Sequence, residues 1–297
     1  MHFPVYAGFM RHCTVAVWLA GLTTLGFAQA KLELTSPLGA KFFSIPDEHG
    51  AIAAAQKNLA ADPDNADLML KLALAQSAAR EYREAVETCS RGLKIAPEHA
   101  GLYLERGHRE VALREFAKAR ADLNKAVKLD PKNVEVYYHL GLSHYFLGEF
   151  APAADAFRHA VELAPNLDSR INSTNWLYAS LRRANENEEA AKVLAGITPE
   201  MKNTEPHTAY YLNLLRLFQG RMKESDVVPP KPADPSDVEG ELHFATVAYG
   251  VGNWFLYNGD TAKAQDYFRR ILTTQVWITW GFVGAETDLI RSGGAKR

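Results

Sequence analysis

The sequence predicts an all-α solenoid built from antiparallel helix pairs. The first observation is a set of prolines, each 34 residues after the one before: Pro63, Pro97, Pro131 and Pro165. The second is an alanine that stands twelve residues before each of these prolines: Ala51, Ala85, Ala119 and Ala153. The third is the spacing of apolar residues between the prolines at intervals of three and four, which is typical of one helix face. A fixed period of this length indicates a repeat architecture.

Each repeated position has a mechanical reason in a pair of helices. Small residues at Ala73, Gly107 and Gly141 let two helices approach closely, because the side chains at a contact set the distance between helix axes. A proline cannot continue the helical hydrogen-bond ladder, so each repeated proline is expected to follow the second helix of a pair. Asn65 and Asn133 come two residues after such prolines, and we expect their side chains to cap the next helix.

This pattern resembles the tetratricopeptide repeat. Full copies are expected at 64–97, 98–131 and 132–165, followed by a degenerate copy at 166–199. The resemblance implies a right-handed superhelical solenoid over residues 46–199. It also implies that the first helix of each repeat lines a concave groove, in which a scaffold or adaptor binds another protein without catalysing a reaction.

The flanking segments are expected to close the solenoid. Residues 31–45 indicate an extended lead-in that covers the open end, since a terminal repeat otherwise exposes an apolar face. Residues 46–63 resemble the second helix of a repeat whose first helix is missing. Residues 200–240 indicate a helix and a proline-rich connector, a composition typical of a stiff extended segment. Residues 241–292 predict a last repeat-like helix pair and a closing helix.

A further resemblance concerns the whole chain after residue 30. The order of Trp176-Leu177-Tyr178, a broken middle repeat and the closing segment 253–260 is similar to the new lipoprotein I family of periplasmic adaptors. This resemblance implies a role in cell-envelope assembly or maintenance and a chain that often forms homodimers. The sequence departs from that family because it lacks a lipidated cysteine, so the resemblance does not extend to membrane attachment.

The first thirty residues have the features of a secretory signal peptide. The charge-free segment 14–28 follows Arg11, and Ala28-Gln29-Ala30 is the small-x-small pattern that precedes cleavage. We therefore expect cleavage after Ala30 and a periplasmic or secreted protein. The apolar run is shorter than the roughly 20 residues of a membrane-spanning helix, so no integral membrane segment is expected after cleavage. Translation can begin at Met1 or at Met10, which precedes the basic residue of a conventional leader.

Composition excludes some classes of partner and of cross-link. The chain has 297 residues and a formal net charge of −2, without the concentrated basic face that nucleic acid requires. Cys89 is the single cysteine after residue 30, which excludes an internal disulfide there. Free cysteine is usually buried, and we expect the same of Cys89.

The candidate site is the lining of the concave groove, and its expected occupant is a protein or peptide. Apolar and aromatic side chains there supply burial, while charged ones can recognise polar groups of a ligand. By position the groove is expected to include Leu70, Lys71, Leu104, Glu105, His108, Tyr138, His139, Asn175 and Arg182.

Two alternatives stay open at this point. Glu105, His108 and Arg182 could act as acid, base and anion contact of an enzyme or a small-molecule binder, since histidine suits proton transfer near neutral pH. No nucleophile elbow, phosphate loop or metal-ligand motif supports that alternative, and neither a catalytic residue, a cofactor nor a metal is expected. The second alternative is self-association through the chain's C-terminal aromatic residues, which are Trp277, Trp280 and Phe282.

Overall fold

The computed structural model describes residues 30–203 and 209–295, so the expected signal peptide lies outside the described residues except for Ala30. This part of the chain forms fourteen α-helices and one two-stranded antiparallel sheet. Among the helices of these two ranges, none combines the length and hydropathy needed to cross a bilayer.

The described chain begins with a β-hairpin and a single helix. The hairpin consists of β1 (Leu32–Thr35) and β2 (Lys41–Phe43), and the helix is α1 (Ala51–Ala61). Asp47 holds the first turn of α1, because its carboxylate accepts hydrogen bonds from the backbone N–H groups of Ala51 and Ile52.

Three helix pairs follow, and each lies within one of the three full repeats expected from the sequence. The pairs are α2 (Ala66–Ala78) with α3 (Tyr82–Ile95), α4 (Ala100–Ala112) with α5 (Phe116–Leu129), and α6 (Val134–Leu147) with α7 (Phe150–Leu163). The expected caps are confirmed: Asn65 Oδ1 accepts from Leu68 N and Asn133 Oδ1 accepts from Glu135 N, both at 3.1 Å. The all-α solenoid is therefore confirmed in its central part.

The small residues allow the close helix contacts that the repeat predicts. A Cβ atom added to Gly107 would lie 2.8 Å from Leu123, and one added to Gly141 would lie 2.7 Å from Phe157. Both distances are shorter than van der Waals contact, so a side chain at either position would push the two helices of its pair apart.

Cys89 is fully buried, as expected.

The degenerate region continues with four more helices. They are α8 (Leu167–Arg183), α9 (Asn187–Ala195), α10 (Ala209–Phe218) and the short α11 (Glu224–Val227). Residues 228–237 form no helix, in keeping with their proline content. The last helices are α12 (Val238–Tyr257), α13 (Thr261–Ile271) and α14 (Trp280–Arg291), in keeping with the helix pair and closing helix expected over residues 241–292.

The C-terminal helices do not simply extend the solenoid: α12 and α14 fold back onto α6, α8 and α10. Several polar contacts stabilise this arrangement. Arg183 donates two hydrogen bonds of 3.0 Å to the carboxylate of Asp288, and Asn253 Nδ2 donates to Tyr145 Oη at 2.6 Å. Arg291 Nη2 donates to the carbonyl oxygen of Phe146 at 2.9 Å. One continuous apolar core joins the repeats to the C-terminal helices as a result.

The hairpin packs against the first repeat and the C-terminal segment. Its Glu33 carboxylate accepts the backbone N–H of Arg83 at 2.9 Å, at the first turn of α3. Phe42 stacks on Trp277, with ring centroids 5.1 Å apart. The hairpin therefore bridges the first repeat and the C-terminal segment, because an aromatic partner for Phe42 exists there and α1 offers none.

Candidate partner-binding face

The inner helices of the three full repeats present equivalent residues every 34 positions. One register position is occupied by Leu74, His108 and Leu142, on α2, α4 and α6 respectively. A second register position, one helical turn further on, is occupied by Ala78, Ala112 and Phe146. The resemblance to the tetratricopeptide repeat places both positions on the side of the inner helices that is expected to line the groove.

Exposure along these registers changes sharply from the first repeat to the third. Leu74 is 37% exposed and Leu142 is 0% exposed. Ala78 is exposed, whereas Ala112 and Phe146 are buried. The groove is therefore open at its first repeat and filled at its third.

The filling is supplied by the chain's own C-terminal segment. The Trp280 ring lies over His108 and His139, with centroid distances of 5.5 and 5.9 Å. Beyond it, Arg114 Nε donates to Glu286 Oε2 at 2.9 Å, and this pair is almost completely buried. Tyr249 Oη of α12 donates to Asp288 Oδ2 at 2.9 Å, next to Tyr145. Among the described residues of these registers, those of the first repeat stay exposed, whereas those of the third repeat are buried.

We call the accessible part the open face. It combines exposed or half-buried apolar side chains with one exposed cation, and it consists of Leu70, Lys71, Leu74 and Ala78 of α2 with Leu104 and His108 of α4. Side chains three and four residues apart on α2 share one surface, so Lys71, Leu74 and Ala78 form a continuous strip. No ion pair of Lys71 occurs in the described chain, which leaves its ammonium group available to a ligand.

A pair of neutral histidines closes the inner end of the open face. His108 and His139 stack with ring centroids 3.9 Å apart, and Arg109 Nη2 lies 2.5 Å from His108 Nδ1. Burial lowers the pKa of His139 to about 4, and it lowers the pKa of His108 well below the usual value, with Arg109 adding to that effect. Both rings are therefore uncharged at neutral pH and pack as aromatic surface beside Trp280.

Comparison with known families agrees with the repeat pattern. A model described as a TPR repeat matches residues 107–148, and a model described as a tetratricopeptide repeat matches residues 134–167. These stretches coincide with α4 to α7, where the helix pairs and their small-residue contacts are most regular. The chain contains tetratricopeptide repeats. No curated protein matches it over its sequence.

Several solved structures of tetratricopeptide repeat proteins resemble it. YrrB, described as a TPR protein with an unusual peptide-binding site, is 18% identical, with a TM-score of 0.47 over 75% of this chain and 92% of that one. MamA is 21% identical, with a TM-score of 0.46 over 58% of this chain and 91% of that one. MamA from Desulfovibrio magneticus RS-1 is 19% identical, with a TM-score of 0.44 over 48% and 80% of the respective chains. The fold assignment rests on the repeats themselves and on the two family matches.

The structure separates the nine predicted groove residues into two groups. Leu70, Lys71, Leu104 and His108 belong to the open face. The others are buried or engaged within the chain: Glu105, Tyr138, His139, Asn175 and Arg182. These five positions are thus unavailable to a partner in this structure, because they are buried or hydrogen-bonded within the chain.

The contacts of the second group are internal ones. Glu105 Oε1 accepts the hydroxyl of Ser77 at 2.5 Å and pairs with Arg109 at 3.0 Å. Asn175 Nδ2 donates to Tyr211 O at 3.4 Å. Tyr138 Oη donates to Asn172 Oδ1 at 3.3 Å. Each of these polar side chains forms a hydrogen bond with a neighbouring residue of the chain and is therefore not free to bind a ligand.

The two alternative functions gain no support from these positions. Arg182 donates to Asn258 Oδ1 at 2.9 Å and lies 4.5 Å from the Tyr257 ring centroid, at α8 and α12, whereas Glu105 and His108 lie on α4. The three proposed reactive groups therefore do not converge. Trp277 and Phe282 are buried within their own chain, which corrects their interpretation as apolar contacts for self-association. In residues 30–203 and 209–295, no three potential metal ligands cluster.

Sequence reasoning missed three residues beside the open face. Ala78 extends its apolar strip, Arg80 begins the turn after α2, and Ile45 joins that turn because its N–H donates to Ala79 O at 2.9 Å. The period of 34 residues could have identified Ala78 and Arg80 as the counterparts of Ala112 and Arg114. Ile45 lies outside the repeats, so no periodic pattern points to it.

Proposed function

We propose that this protein is a non-catalytic scaffold that binds a protein or peptide partner on the open face. The observation that carries the proposal is the exposure of Leu74, whose register counterpart Leu142 is completely buried. A position that is core in one repeat and exposed in another is a natural docking point, since an exposed apolar side chain gains free energy when a partner covers it.

The chemistry of the open face fits a small, mixed interface. Leu70, Leu74 and Leu104 can each contribute up to about 1 kcal/mol when a partner covers them, a fraction of the gain for burying a fully exposed aliphatic side chain, because all three are already partly buried. Lys71 adds a charge that recognises a carboxylate and speeds association with an acidic partner. Members of scaffold families of this kind are generally non-catalytic, and the expectation that this chain is not an enzyme stays a prediction.

The proposed setting is the periplasm or the medium outside the cell. Support comes from the sequence alone, namely the charge-free segment 14–28 and the cleavage pattern that ends at Ala30. The resemblance to the new lipoprotein I family extends the proposal to cell-envelope assembly or maintenance. Amino-terminal sequencing of the protein from fractionated cells tests the setting: an amino terminus at Lys31 in the exported fraction is expected, and an intact leader in the cytoplasmic fraction overturns it.

Affinity capture tests the open face. The full chain without its leader serves as bait in three forms: wild type, a Lys71→Glu/Leu74→Asp variant, and a Lys94→Glu/Ile95→Asp control. Lys94 and Ile95 are also an exposed cation and an exposed apolar residue, with Ile95 45% exposed, but they lie at the end of an outer helix. We expect a protein that the wild type and the control retain and that the open-face variant loses.

Two results contradict the proposal. One is equal retention by all three baits, which would place the partner elsewhere. The other is equal loss from both variants, which would indicate a general effect of added negative charge. Circular dichroism of each bait checks that the fold is intact, and we expect it to be, because all four substituted side chains are exposed.

A further inference from the structure

The turns between the two helices of each repeat share an uncommon backbone position. Arg80, Arg114 and Gly148 occupy it at intervals of 34 residues, with φ of 56°, 65° and 83°. Glycine adopts this conformation freely, whereas a residue with a side chain is strained there by about 1 kcal/mol or more. An arginine at such a turn therefore calls for a compensating contact of its side chain.

Arg114 makes such a contact inside the molecule. Its side chain is 5% exposed, its Nε donates to Glu286 Oε2 at 2.9 Å, and its Nη2 donates to Trp277 O at 3.2 Å. Both acceptors belong to the segment that covers the second and third repeats. Arg114 thus binds a carboxylate of α14, the helix whose Trp280 packs against His108.

Arg80 occupies the same turn of the first repeat without an equivalent helix beside it. Within residues 30–203 and 209–295, its guanidinium forms no hydrogen bond or ion pair. Lys71 of the open face has no ion-pair partner in these ranges either. Exposed apolar side chains lie near both cations, with Leu74 37% exposed on α2 and Ile45 39% exposed next to the turn. This surface therefore joins apolar area to positive charge that the molecule does not neutralise.

We propose that the open face receives an amphipathic helix of a partner protein, and that a carboxylate of this helix binds Arg80 as Glu286 binds Arg114. The inference rests on the proposed function, because it specifies the partner's chemistry at the same face. Two free cations favour an acidic partner. The second repeat also indicates the spacing between the apolar residue and the carboxylate of such a helix. There Trp280 contacts His108, the counterpart of Leu74, and Glu286, which binds the counterpart of Arg80, follows Trp280 by six residues.

The test uses a helical probe of known sequence. A fluorescein-labelled peptide of residues 275–293, which contains Trp280 and Glu286, is titrated with the full chain, and its fluorescence anisotropy is measured. Arg80→Gly and Arg80→Glu, at a half-buried arginine, are compared with Arg91→Glu, a control that reverses an exposed arginine on the neighbouring outer helix α3. Glycine suits the positive φ of this turn, so Arg80→Gly is expected to keep the fold intact.

We expect saturable binding that Arg80→Gly weakens about threefold and Arg80→Glu about tenfold, the range of a partly exposed ion pair and of its reversal. Arg91→Glu should change the affinity less than about twofold. A peptide with Glu286→Lys should bind wild type weakly and Arg80→Glu well, because opposite charges face each other again only when both are reversed.

Three outcomes overturn the inference. They are no binding at about 1 mM protein, equal effects of the Arg80 and Arg91 reversals, and failure of the double reversal to restore affinity. The proposed function has a separate readout. If partner capture still depends on Lys71 and Leu74 but the affinity of the peptide does not change with Arg80, the proposed partner site is supported and the inference of an acidic helix is wrong.

Discussion

The inner faces of the first and third repeats are built from the same register positions, yet one is a surface and the other a core. Leu74 and Ala78 face outward in the first repeat, while Leu142 and Phe146 are enclosed in the third. The difference arises outside the repeats, because α12 and α14 cover only the later part of the groove. A repeat position thus has no fixed role in this chain, and its role depends on what packs against it.

The largest expected effect is the difference in stability between substitutions of Leu142 and of Leu74. Leu142→Ala should lower the free energy of unfolding by about 3–5 kcal/mol, because it leaves a cavity in a closed core. Leu74→Ala should lower it by less than about 1 kcal/mol, because the side chain is already partly in water. Urea denaturation of both variants measures the two values. Equal losses would mean that the first repeat is as enclosed as the third.

The second comparison concerns the two arginines at left-handed turns. Arg114→Gly should cost about 3 kcal/mol, since it leaves the buried Glu286 carboxylate without its counter-ion. Arg80→Gly should be neutral or stabilising by up to about 1 kcal/mol, because glycine relieves the strain of a positive φ and no partner is lost. Thermal unfolding of the two variants measures the contrast. A clear destabilisation by Arg80→Gly would reveal an internal role for that side chain.

A pH-dependent effect is expected at the histidine pair. The folded pKa of His139 is about 4, below the usual 6.5, so the unfolded chain binds this proton first as the pH falls. Its share of stability is complete above pH 6.5 and is lost towards pH 4, where a charge would lie beside Arg109. The loss of unfolding free energy between pH 6.5 and pH 4 should be smaller by about 1–3 kcal/mol in His139→Gln than in wild type. The control variant His159→Gln, at an exposed histidine, should lose as much as wild type. Identical pH profiles of wild type and His139→Gln would refute the assignment.

The smallest effect tests a carboxyl that the second repeat buries. Burial raises the pKa of Glu110 to about 8, and Asp122 adds to the effect. Between pH 4.5 and 8 the folded chain holds a proton that the unfolded chain has released, so stability falls as the pH rises through this window. The first repeat has Gln76 at this position, hydrogen-bonded to Thr88.

Glu110→Gln should therefore stabilise the protein by about 1–2 kcal/mol at pH 8 and have little effect at pH 4. Denaturation midpoints of the variant and wild type at the two pH values measure this difference. A gain of the same size at both pH values would show that packing, and not ionisation, explains it.

The sequence predicted the helix pairs well because their determinants are local and periodic. Gly107 and Gly141 mark close contacts, and Asn65 and Asn133 cap helices from within their own repeat. These features require no knowledge of distant parts of the chain. The caps and helix pairs therefore followed from spacing alone.

The candidate site was harder to predict because its cover is remote in sequence. Arg114 and Glu286 are 172 residues apart, and Tyr145 and Asn253 are 108 apart. No period of 34 residues carries information about such pairs. The sequence nevertheless holds one hint: the covered register has Phe146 where the open one has Ala78, so the inner face becomes larger and more aromatic towards the part that is filled.

The return of α12 and α14 also sets an order of events during synthesis. Tyr145 and Trp176 leave the ribosome well before Tyr249 and Asn253, which later pack against them. Until then, an apolar surface is open on a chain whose earlier repeats can already have folded. A chain that ends before α12 would keep that surface permanently. Premature termination should therefore yield an aggregating product instead of a shorter working scaffold.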